Sequence, residues 1–270
     1  MPRPRRSLLR RYRLFAPRLF RYGLLLLALL LLCDGIAALN RSQIQAALSP
    51  NAPARGRSVA IGVPTLDPAG ADSVNSGGTV LASDTFQRAS QTYWGVASDG
   101  LPWQADAGNE RNFVIENHVG IVYSLAQPVY CTALLGPVAA NADLMFSAAL
   151  SSYGNGASSL GAILRWSSPG DFYTLYLDGQ DLVLAREMDG MPTPLQMIPF
   201  PARDGAAYTF RLRAVGTQLF AMVWPTGQPA PANWQIALTD SALSAGRAGI
   251  RMLLRPGTQA RITSFMEVKV

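Results

Sequence analysis

From about Ala82 to the C-terminus, short apolar runs recur every 8–12 residues or so, each closed by a turn. VYCTALL (129–135), LGAILRW (160–166), FYTLYLD (172–178), DLVLARE (181–187), YTFRLRA (208–214) and TQLFAMVW (217–224) are such runs. SPGD (168–171), DGQD (178–181) and RPGTQ (255–259) are the turns between them. Runs of this length with Gly-bearing turns predict strands, and many of them predict an all-β sandwich or barrel. After residue 40 no segment holds a 3.6-residue period long enough for a major helix, and no internal repeat is evident. Tyr208, Phe210 and Leu212 alternate with Thr209, Arg211 and Arg213, which predicts a half-buried strand with one solvated face. The run from 172 to 185 is apolar on both faces and is expected in mid-sheet.

Ahead of this block the chain reads differently. Residues 1–21 hold eight arginines and no acid, and are expected to be a basic cytoplasmic N-terminus. Residues 22–39 carry the apolar core Leu24–Cys33 and predict one hydrophobic helix, either a transmembrane signal-anchor or a cleaved signal peptide. The long basic flank and an Ile36/Ala38 cleavage site of poor fit favour the anchor. Arg5-Arg6 resembles a twin-arginine signal, but the Leu-rich core argues against it. Residues 40–81 are rich in Pro, Ala, Gly, Ser and Asn and predict a flexible linker, with one short strand at 58–63. Residues 82–270 then form the exported domain, outside the membrane if the leader is an anchor, or secreted if it is cleaved.

The overall charge of +6 is therefore local. From Tyr22 onward there are 15 basic and 17 acidic residues, so no basic face for nucleic acid is expected. Two cysteines, Cys33 and Cys131, leave no disulfide framework and no cysteine zinc site. The one histidine, His118, sits in a predicted turn, and no G-x-S-x-G elbow accompanies it, so a histidine-based catalytic site is not expected.

Several motifs, taken in order, carry a resemblance. They are Asp84-Thr85-Phe86-Gln87-Arg88, Trp94-Gly95 with Trp103, Leu164-Arg165-Trp166 with Phe172-Tyr173, Ala221-Met222-Val223-Trp224-Pro225, and Gly246-Arg247-Ala248-Gly249-Ile250. Over 82–270 the chain resembles the concanavalin A-like lectin/glucanase superfamily, in particular its laminin-G-like jelly-roll modules. The resemblance implies a two-sheet antiparallel jelly-roll sandwich. That fold hosts lectins, enzymes and plain spacers, so it does not decide function.

In glucanases of this kind the catalytic acids lie on one strand as E-x-D-x-x-E. The nearest segment here is Glu187-Met188-Asp189-Gly190-Met191-Pro192, where Pro replaces the last acid and Asp189-Gly190 reads as a turn. Catalytic residues are accordingly not assigned, and a glycosidase stands as an alternative only. Relatives often hold calcium; Asp171, Asp178 and Asp181 are the candidates, set against the habit of turn aspartates to bond their own backbone. Flat aromatics beside hydrogen-bonding groups suit sugars, which makes Tyr153, Arg165, Trp166 and Tyr176 the carbohydrate-binding candidates. Trp94 and Trp103 flank the Asp99-Gly100 turn and read as framework. The expected function is non-catalytic recognition of carbohydrate at the cell envelope; a structural or protein-interaction sandwich without a sugar site is the first alternative and an envelope glycosidase the second.

Overall fold

A computed structural model describes residues 78–270. The expected basic N-terminus (1–21), hydrophobic segment (22–39) and residues 40–77 of the linker lie outside the described residues. Among the described residues no helix is long and apolar enough to cross a membrane.

The described chain is strand after strand. In order they are β1 (Val80–Asp84), β2 (Gln91–Thr92), β3 (Gln104–Ala105), β4 (Phe113–Glu116), β5 (Val119–Ser124), β6 (Val129–Ala139), β7 (Ala142–Leu150) and β8 (Ser159–Ser168). There follow β9 (Asp171–Leu177), β10 (Asp181–Met188), β11 (Met191–Pro199), β12 (Ala207–Val215), β13 (Gln218–Pro225), β14 (Ile236–Thr239), β15 (Gly246–Leu254) and β16 (Thr258–Lys269). A single 3-10 turn, Asp106–Gly108, follows β3.

They form two antiparallel sheets. One has the order β14-β13-β12-β7-β16-β5-β4-β2, with β1 also on β16; the other is the seven-stranded β11-β10-β9-β8-β15-β6-β3. β16 is 12 residues long and feeds three neighbours. β7 runs along one of its edges, while β5 and β1 share the other, β5 at 258–262 and β1 toward the C-terminal end.

Alternation builds the core. Leu144, Phe146, Ala148 and Leu150 of β7 and Tyr208, Phe210 and Leu212 of β12 enter one hydrophobic cluster from the first sheet. Leu160, Ala162 and Leu164 of β8 and Tyr173, Leu175 and Leu177 of β9 enter it from the second. Phe146 and Phe210 are direct cross-strand partners and stack at 4.7 Å. Burying an aromatic side chain of this kind stabilises by about 2–3 kcal/mol.

One end of the sandwich is sealed by aromatic rings. Phe86, Trp94, Trp103, Phe113 and Phe265 contact one another at centroid distances from 4.8 to 5.9 Å. Asp84 ties this end together. It accepts from the Phe86 N–H, both Arg88 Nη atoms, the Ser98 hydroxyl and Trp103 Nε1 (2.7 Å). Burial pushes its carboxyl up, but those donors together outweigh burial and hold it below the ordinary aspartate range. Trp94 and Trp103 are thus framework, and the DTFxR motif is a cap on the core.

The solvated face expected for β12 is not found. Arg211 is only 2% exposed and Thr209 7%. Asp143 of β7 accepts from Arg211 Nε and Nη2 and from Arg213 Nε and Nη2. The indole of Trp234, delivered by the β13–β14 connection, lies 5.0 and 5.2 Å from the two guanidinium carbons. A later segment therefore covers a face whose own sequence looks solvent-bound.

Both sheets end in strands that resist further pairing. β2 and β3 have two residues each and β14 four. β11 carries Pro192, Pro194 and Pro199, which remove ladder donors from its open edge.

Candidate functional site

The outer face of the seven-stranded sheet holds the second, smaller apolar cluster: Leu134, Ile163 and Phe172, with Trp166 packed against it. Alternation puts Phe172, Thr174 and Tyr176 of β9 on this face, opposite the core residues Tyr173, Leu175 and Leu177. Gly161 and Gly249 keep its floor low. A Cβ at Gly161 would lie 2.2 Å from the Leu175 carbonyl oxygen, and one at Gly249 2.2 Å from that of Ala133. Side chains from neighbouring strands lie across this floor. The Arg251 guanidinium sits 4.6 Å from the Phe172 ring centroid and reaches Glu187, across β8 and β9, at 3.5 Å. Arg247 bonds Gln104 beside it.

The four carbohydrate candidates divide into two pairs. Trp166 and Tyr176 are half-buried and share the outer face. Burial pushes the Tyr176 hydroxyl up, and Asp178 and Asp181 add to the shift. Tyr153 and Arg165 turn inward. Tyr153 is 3% exposed, lies against Gly179, and its hydroxyl has no partner among the described residues. Arg165 is 2% exposed. Its guanidinium donates to the carbonyls of Ala140 (2.8 Å), Gly216 (2.6 Å) and Leu243 (2.7 Å), joining three connections at one end of the sandwich. Burial alone lowers its basicity, partly offset by Tyr173. The two inward residues offer a ligand neither a flat face nor a free donor.

A bulge explains the split. The β8–β9 register slips between Leu164 and Ser168, and Arg165 has φ +54°. The slip sends Trp166 to the outer face and turns Arg165 into the end of the molecule. Sequence reasoning missed Arg251, which lies over Phe172 on the outer face. Its signal lies in the alternation of Gly249, Arg251 and Leu253 against core residues Ile250 and Met252.

Asp178 and Asp171 bond turn groups. Asp178 accepts from the Gln180 and Asp181 N–H groups, and Asp171 from the Ser168 hydroxyl and the Asp189 N–H. Burial raises the Asp181 carboxyl, with Asp178 contributing. Among the described residues no group of three or more His, Cys, Asp or Glu is placed to hold a metal. Asp189-Gly190 forms the β10–β11 turn with both φ values positive, as the sequence suggested. Asn117 and His118 form the β4–β5 turn in the same way.

Comparison with solved structures now bears on the architecture. The β-glucanase of Bacillus licheniformis aligns with 72% of this chain and 100% of its own, at 12% identity and a TM-score of 0.50. LamAcat from Zobellia galactanivorans covers 71% of this chain and 98% of its own, at 8% identity and a TM-score of 0.51. The carbohydrate-binding module CBM66 from Bacillus subtilis aligns with 68% of this chain and 96% of its own, at 12% identity and a TM-score of 0.44. The fold is a two-sheet antiparallel jelly-roll sandwich. No family model matches the chain, and no curated protein matches it. At these identities the likeness extends to the fold of the jelly roll and no further.

Proposed function

We propose that the jelly roll is a non-catalytic, extracytoplasmic recognition module that binds carbohydrate at the cell envelope. The observation that carries this reading is that Trp166 and Tyr176, both half-buried, lie on the same sheet face as the Arg251–Glu187 pair. Ring faces stack on the C–H side of a sugar, and the charged pair offers donors and acceptors to its hydroxyls. The fold also accommodates proteins such as the Bacillus licheniformis β-glucanase. Its laminin-G-like subclass is part of the proposal, supported by the way Asp84, Arg88 and Trp103 of the quoted motifs join in one cap.

Glycoside hydrolysis fits this face poorly. On β10, alternation places Asp181 and Glu187 on the outer side. Six residues of strand separate them by about 20 Å, whereas two catalytic carboxyls need about 5–10 Å. Delivery to the envelope rests on the basic residues 1–21 and the apolar residues 22–39, which would hold the module outside a membrane as a single-pass anchor or release it after cleavage.

A glycan array probed with the full chain tests the reading, followed by Trp166→Ala and Tyr176→Ala. Each change is expected to weaken the best array hit by about tenfold or more. Binding that survives both changes moves the site elsewhere. An array without hits, together with capture of an envelope protein, favours the structural module.

A further inference from the structure

A second polar site lies at the open edge of β6. β3 pairs with this edge only at Leu134 and Ala133, and the chain then turns into the Asp106–Gly108 3-10 turn. The edge that β3 leaves open borders a pocket of about 380 Å³. Asp106, Glu110, Arg111, Asn112, Pro128 and Tyr130 are among the residues that line it. Tyr130 is 70% exposed, although it sits within a strand and is aromatic.

The pocket's polar groups are uncommitted. Asp106 spends one carboxylate oxygen on the Thr132 N–H (2.8 Å), and the other takes no hydrogen bond among the described residues. The side chains of Glu110, Arg111, Asn112 and Tyr130 make no hydrogen bond or ion pair among the described residues. The Thr132 N–H points to the edge, and in an antiparallel strand residues two apart point the same way. The N–H and C=O of Tyr130 therefore also face the pocket, with no neighbouring strand to receive them.

We propose that this edge pocket binds one or two sugar units, as a subsite at the edge of the sheet distinct from Trp166 and Tyr176. The proposal rests on the carbohydrate reading above. The chemistry fits a small polyhydroxylated ring. Carboxylates and the Asn112 carbonyl accept from adjacent hydroxyls, Arg111 and the Tyr130 N–H donate, and the tyrosine ring covers a C–H face. The volume falls at the small end of the range for ligand pockets, about 300–1,000 Å³, which limits the occupant to a short ligand. A peptide adding as a strand is disfavoured, because the 3-10 turn blocks β6's edge after two paired residues. A small anion is disfavoured by two carboxylates against one guanidinium.

The test uses the full chain, labelled with ¹⁵N, titrated with glucose, galactose, mannose, xylose, fructose and N-acetylglucosamine. At least one is expected to shift the amides of Tyr130 and of residues 110–112. Tyr130→Ala should weaken that binding by about tenfold or more, and Trp166→Ala by less than about twofold. Because Tyr130 is exposed, its variant is expected to keep the wild-type circular dichroism and unfolding midpoint. Glu110→Gln gives a second check that leaves the strand intact, and it should weaken the same titration. If the edge amides respond to none of the six sugars while array glycans bind through Trp166 and Tyr176, the edge site is wrong and the recognition function stands. If no sugar, free or arrayed, binds anywhere, both fall.

Discussion

Glu267 is the residue whose replacement should change this protein's stability most informatively. It lies on β16 with 0% of its surface exposed, and neither carboxyl oxygen has a hydrogen-bond partner among the described residues. Its Oε2 lies where a side chain on Gly136 would stand, 2.5 Å from an ideal Cβ there. Burial pushes its carboxyl from an ordinary 4.5 up to about 8. An unfolded chain releases this proton near 4.5, so between pH 4.5 and 8 the folded state holds more protons than the unfolded state. Stability from this group is complete below about pH 4.5 and is lost as pH rises through about 8. At about 1.4 kcal/mol per pH unit, the loss across that window is roughly 4–5 kcal/mol, a large share of a typical total of about 5–15 kcal/mol. Glu267→Gln keeps the shape and removes the ionisation. Urea unfolding of both proteins at pH 4.5, 6, 7.5 and 9 should show near-equal stability at the acid end and an advantage for the variant of about 4 kcal/mol at the alkaline end. The stability difference isolates Glu267, because every other titrating group is common to the pair. A difference that stays within about 1 kcal/mol across the series would refute the reasoning.

Three further outcomes follow from the contacts. Arg165→Ala removes a guanidinium that binds three backbone carbonyls, and should lower stability by about 3–5 kcal/mol in urea unfolding; Arg165→Lys should recover little, since one ammonium cannot reproduce the fork. Trp103→Phe deletes the Nε1 bond to Asp84 and should cost about 2–4 kcal/mol, read as a lower unfolding midpoint. Gly161→Ala puts a Cβ 2.2 Å from the Leu175 carbonyl oxygen and should destabilise by about 1–3 kcal/mol, with chemical-shift changes concentrated at Tyr176 and its β8 neighbours.

The two-layer architecture was legible because short apolar runs mark β9, β10, β12 and β13, with period-two alternation clear in β12, and each of those runs ends at a turn. β11 was not legible: MPTPLQMIP has prolines at 192, 194 and 199, which suit only an edge, and nothing local says that the edge is there. β1 was hidden for a similar reason, since its five residues, VLASD, follow directly on a stretch of linker-like composition. The faces were harder still. Alternation shows that Thr209, Arg211 and Arg213 point away from the core, but it cannot show that Trp234 arrives from the β13–β14 connection to cover two of them. For the sugar candidates the sequence held a warning in plain view. Arg165 and Trp166 are adjacent, and on a regular strand adjacent side chains point to opposite faces, so the two could serve one site only through an irregularity. The irregularity exists, and it separates them: the bulge carries Trp166 outward and commits Arg165 to the backbone of three connections. What remains for a ligand is therefore set by register slips and strand edges more than by residue type, which is why Arg251 and Tyr130 come into view only once the register is known.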